Sequence, residues 1–194
     1  MENFGLYFTL GQEHILDING YDHILFVLAL AAIYTLKDWR KILILVTAFT
    51  VGHSVTLALA TLQIIQVNAA VVEFIIPVTI FITALSNLLV KESKTTSKLS
   101  LNYGYALFFG LIHGLGFSNY LRAMLGKSQS IVGPLFAFNV GLELGQIIIV
   151  ALFLIVSFIV INLGKVQHRW WRISISLIIT LMSLALLPGR MFWT

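Results

Sequence analysis

The stretch Phe138-Asn-Val-Gly-Leu-Glu-Leu-Gly-Gln-Ile-Ile-Ile149 decides the fold. It is too apolar to lie anywhere but in a bilayer, yet it carries Glu143 at its centre. Asn139, Glu143 and Gln146 fall at i, i+4 and i+7, so on a helix they share one face. A carboxylate at that depth costs roughly 2.5 kcal/mol or more, and intramembrane ionisable residues mark sites or proton paths.

Outward from this stretch the same composition continues. The chain has 194 residues, 59% hydrophobic and 10% charged, and its apolar runs repeatedly approach the ~20 residues that cross a hydrocarbon core. The expectation is an all-α polytopic protein, one integral membrane domain over 1–194, with spans at about 21–36, 41–63, 69–90, 102–118, 131–163 and 173–188. Residues 3–18 place Phe4, Tyr7, Phe8, Gly11 and Ile15 on one stripe, the pattern of a short helix lying in the interface. Pro77 is expected to kink the third span, whose freed carbonyl a neighbour must satisfy. The segment after the fourth span, SNYLRAMLGKSQS, reads as the longest loop.

Charge sets orientation rather than a nucleic-acid surface. The formal charge is +4, and nine of the twelve Lys and Arg fall in the loops at 37–41, 91–98 and 165–172. Arg122, Lys127 and Arg190 lie on the other side. The positive-inside rule then puts both termini outside. The acidic start MENFGLYFTLGQEH does not read as a cleaved signal peptide, and the absence of cysteine excludes thiolate sites and disulfides.

Counting ~1.5 Å of rise per residue brings Asp22, His23, His53, His113 and Glu143 into the outer half of the membrane. Imidazole and carboxylate without sulfur suit Zn, Ni, Co, Mn or Fe. Asn139, Gln146, Thr50 and Ser54 are candidates to orient those ligands. Glu73 reads as an interface residue and His168, beside two tryptophans, as a headgroup-level anchor.

Four segments, GYDHILF at 20–26, FTVGHSVTL at 49–57, GLIHGLGF at 110–117 and FNVGLELGQ at 138–146, resemble the HupE/UreJ family of small bacterial membrane proteins. The resemblance implies a nickel or cobalt permease of the bacterial inner membrane, handling metal at His14, Asp22, His23, His53, His113 and Glu143. Nickel permeases more widely carry His-x4-Asp-His on one helix. Here seven residues, ILDINGY, separate His14 from Asp22 and contain the turn signal Asn19-Gly20.

Two functions compete at this stage. One is a divalent transition-metal permease. The other is an intramembrane zinc hydrolase facing the outer side, with Asp22 or Glu143 as general base and a lipid-like substrate. A metal-stabilised membrane partner is a third. Membrane lipid and a metal ion are the expected partners, nucleic acid is not, and homo-oligomerisation is left open.

Overall fold

The computed structural model describes residues 4–89, 99–125 and 130–192. Eight α-helices follow in order: α1 Phe4–Leu16, α2 Asp22–Ala31, α3 Trp39–Thr61, α4 Ala69–Leu89, α5 Leu99–Gly116, α6 Ser118–Leu125, α7 Val132–Phe158 and α8 His168–Leu186. Among the described residues four helices are long and apolar enough to cross a membrane: Leu36–Thr61, Ala69–Leu89, Val132–Leu163 and His168–Leu186. The polar linker 91–98 and Lys127 lie outside the described residues.

Local chemistry sets several boundaries. A short 3-10 turn, Leu36–Asp38, leads into α3 and is closed by a capping box between Thr35 and Asp38. The left-handed Gln63, with φ of 60°, ends α3. Asn68 starts α4 by accepting from the Ala70 amide at 2.9 Å, which is the usual work of an N-cap side chain. A π-helical turn, Ile159–Leu163, prolongs α7.

Three expectations change. The helix anticipated over 21–36 stops at Ala31, ten residues long, because the chain turns before the capped Thr35. At ~1.5 Å per residue it covers about 15 Å, half a hydrocarbon core. The expected long loop after α5 contains α6, whose Leu121 and Leu125 are buried while Asn119 and Arg122 are exposed. The four-residue spacing of those leucines is an amphipathic helical signal. The basic segment before the last span is partly helical too, since α8 begins at His168.

Glycine sets the two tightest helix pairs. A Cβ on Gly52 would overlap the Leu107 carbonyl oxygen, one on Gly110 that of Phe49, and one on Gly114 that of His53. The register 49 to 110 and 53 to 114 makes α3 and α5 parallel neighbours. Gly141 meets Phe8 and Gly145 meets Ile15 and Gln12, with Gly11 against Phe138, so α1 runs parallel to α7. The buried side of α1, Tyr7, Gly11 and Ile15, therefore faces protein. The backbones approach as small-residue interfaces allow in membranes.

Two antiparallel or parallel contacts fix the remaining levels. Asn87 donates to the Ala29 carbonyl at 2.7 Å, while His113 meets Thr79 at 3.2 Å. Thr79 lies midway along the 21 residues of α4. The start of α2 and the end of α5 therefore share the middle level of α4.

Enlarging a contact glycine tests this packing. Gly110→Val and Gly141→Val are each expected to cost about 1–3 kcal/mol or more by overpacking, read as a lower thermal unfolding midpoint in detergent. Gly104→Ala, where a Cβ meets nothing within 4 Å, is the control and should leave the midpoint unchanged or raised.

Candidate metal centre

The close α3–α5 and α1–α7 approaches carry histidines with them. His14 lies in the last turn of α1, His23 in the first turn of α2, His53 in the second half of α3 and His113 near the end of α5. One ligand nitrogen from each of His14, His23 and His53 lies within 4.8 Å of the others. His53 and His113 are fully buried and His23 nearly so. The break at Asn19-Gly20 is what lets His14 join: α1 and α2 are separate helices, and their facing ends bring the His14 and His23 rings to a centroid distance of 4.5 Å.

Hydrogen bonds settle which nitrogens are free. Asp22 Oδ1 accepts from the His23 backbone amide at 2.8 Å and lies 2.9 Å from His23 Nδ1. A carboxylate can only accept, so Nδ1 carries the proton and Nε2 keeps its lone pair. That Nε2 has no partner, and neither do His14 Nε2 or either nitrogen of His53. Thr79 gives its one hydroxyl proton to the Ile76 carbonyl at 2.7 Å, so towards His113 Nε2 it can only accept. His113 Nδ1 is left as an unpartnered lone pair, 5.2 Å ring to ring from His23.

Aromatic rings wall the centre. Phe117 lies 4.1 Å from the His14 ring, Phe138 stacks on His53 at 6.3 Å, and Phe26 and Phe49 flank His113 at 5.0 and 5.2 Å. An apolar wall weakens competition from water and strengthens electrostatics inside. The centre opens into a cavity of about 360 Å³ whose lining includes His14, Asp17, Asp22, His23, Glu73 and Arg190.

The remaining candidates fall elsewhere. Glu143 accepts from Thr47 Oγ1 at 2.5 Å and lines a separate depression with Asn139 between α3 and α7. Thr50 gives its hydroxyl proton to the Val46 carbonyl at 3.1 Å and accepts from the Gln146 side-chain amide, 2.7 Å away. Ser54 bonds back to the Thr50 carbonyl at 2.6 Å. Thr50 and Gln146 thus sit one turn below His53, whereas Glu143 is on the far side of them.

Thr79 and Arg190 are the residues that sequence reading did not attach to the centre. Thr79 lies within the third span, and its partner His113 is 34 residues away. Arg190 donates to Asp22 Oδ2 at 2.9 Å across 168 residues, a pairing with no local signal.

What fold and centre define together is a helical membrane protein with a cluster of histidines buried between its spans. The chain belongs to the HupE/UreJ family: the family model described as HupE / UreJ protein matches residues 1–188. That family is related to nickel and cobalt transport. No curated protein sequence and no solved structure gives a significant match to the chain.

Asp22→Asn tests the orienting bond. An amide can present its NH2 to His23 Nδ1 and invert the tautomer, so divalent-metal affinity is expected to fall about 10–100-fold, measured by isothermal titration of the purified protein.

Proposed function

We propose that this protein is a permease for a divalent transition metal of the nickel and cobalt kind, taking the ion from the outer side onto His14, His23 and His53. Asp22 orients His23, and His113 is a further donor one ring beyond. The observation that supports this most is the grouping of His14, His23 and His53, whose ligand nitrogens lie within 4.8 Å of one another and each of which has an unpartnered ring nitrogen. Buried polar atoms are ordinarily satisfied, and neutral imidazole is the form that binds metal.

The same reading assigns six crossings to the chain. The four long helices supply four and α5 a fifth. α1 and α2 together supply the first, as a discontinuous crossing broken at 17–21, with the protein in a bacterial inner membrane and both termini outside. Discontinuous helices whose ends meet at mid-membrane are a recurrent way of building ion sites in transporters.

An ion with tetrahedral bonds of ~2.0–2.1 Å to nitrogen holds its donors about 3.3 Å apart, a spacing that three ligand nitrogens within 4.8 Å of one another are placed to meet. Conduction needs binding favourable enough to load and weak enough to unload. The hydrolase reading fits less well, since both oxygens of Asp22 are engaged and Glu143 lines a different depression.

Reconstitution into sealed vesicles tests the proposal. Nickel or cobalt uptake is expected, with His53→Ala losing uptake and more than about 100-fold in affinity, beyond the range for an outer-shell partner. Glu143→Gln is expected to keep metal binding. Lipid turnover without flux would turn the assignment to an enzyme, and tight stoichiometric metal with neither would turn it to a structural role.

A further inference from the structure

Arg190 follows the last span, on the side where basic residues are scarce. It sits in a 3-10 turn, Pro188–Arg190, at the end of α8, and the next residues are held to α4 by Phe192, whose ring lies 5.9 Å from that of Phe74. From this strap the guanidinium reaches inward to Asp22 Oδ2 at 2.9 Å and the Glu73 carbonyl at 3.3 Å. Its side chain is 23% exposed and that of Asp22 is 9% exposed.

Both acceptors are made available by features nearby. Pro77 has no amide hydrogen, so the carbonyl four residues earlier, that of Glu73, loses its helical partner. Asp22 turns its other oxygen to His23 and leaves Oδ2 facing the cavity. A carboxylate and a freed carbonyl, both oxygen acceptors, thus converge at the mouth of the cavity that opens onto the histidines. Such an oxygen pair is suited to a cation, and here the cation is the protein's own.

We propose that Arg190 is a gating residue: its guanidinium lies in the wall of the cavity that leads to the histidines and occupies the carboxylate oxygen and freed carbonyl that would draw a divalent cation in, and the ion is admitted faster once it leaves Asp22. This rests on the metal-permease reading. The strap formed by Pro188, Arg190 and Phe192 acts as a hinged latch, closed when Arg190 is on Asp22. A fixed positive charge at the mouth slows the approach of cations, as charges at the rim of a site act chiefly on association rate and on its salt dependence.

Stopped-flow association of nickel with the purified full-length protein, at low and at high salt, tests the latch. Arg190→Gln is expected to accelerate association about tenfold at low salt, with the gain reduced at high salt, while Arg190→Lys stays near the wild-type rate. Phe192→Ala, which frees the strap without touching the ion pair, is expected to accelerate it as well and carries the test if the glutamine variant does not fold. A glutamine variant that binds no faster, with an unchanged unfolding temperature for the metal-free protein, overturns the gate. Slower binding with a lowered unfolding temperature also overturns it, in favour of a clamp that only holds the helices. His53→Ala run alongside separates the two ideas: if it binds nickel like wild type, the histidine site itself is wrong, whatever Arg190 does.

Discussion

Backbone contact between helices at glycine is the constraint on which the centre depends. With Gly52, Gly110 and Gly114 at the α3–α5 seam, the main chains come close enough that His53 and His113 are brought to one level between them. Gly11, Gly141 and Gly145 do the same for α1 on α7, which carries His14 into reach of His53. Lipid offers no hydrophobic drive for helices to associate, so van der Waals fit at small residues supplies much of the attraction. None of these glycines is itself a candidate ligand, yet they decide how far apart the imidazoles stand.

Satisfaction of polar groups is the second constraint, and it is met unevenly. Asp22, Thr79, Glu73 and Arg190 pair off, each using an acceptor or donor that another feature made available. The imidazole nitrogens are left over. Each unpaired buried polar atom costs about 1–3 kcal/mol; His14, His23 and His53 each have an unpartnered ring nitrogen, and each offers a ligand nitrogen within 4.8 Å of the others. On the proposed reading, a cation bonded to one nitrogen of each ring would offset part of that cost.

Apolar run length and the positions of Lys and Arg made the helical membrane class and five of the helix positions legible within a few residues. Depth counting brought His23, His53 and His113 together because span ends are well marked by charge. Glu143, counted to the same level, is bonded to Thr47 and stands apart from the grouped histidines, since depth says nothing about which way round the helix a side chain points. The shortness of α2 was hidden too, because ALAAIYTL reads as apolar throughout and only Thr35 and Asp38, three residues apart, signal the capped turn. His14 was the reverse case. The Asn19-Gly20 turn signal falls between the two helices α1 and α2, and their facing ends bring His14 beside His23. Contacts such as Arg190 with Asp22 depend on tertiary placement alone.

The meeting of α1 and α2 also has an electrostatic logic. Helix ends carry partial charges, positive at an N-terminus and negative at a C-terminus. The start of α2 by itself would repel a cation, and the end of α1 would attract one. Asp22 in the first turn of α2 offsets the repulsive end with a carboxylate that it shares with Arg190, and its hydrogen bond to Nδ1 leaves Nε2 of His23 as the lone pair. His14 stands in the last turn of α1, beside carbonyls that have no helical partner. A continuous helix through residues 14–23 would cancel these ends inside its own hydrogen-bond ladder. Breaking it exposes one favourable terminus and lets a single carboxylate correct the other, which is why the interrupted segment, and not one of the long spans, supplies two of the three grouped histidines.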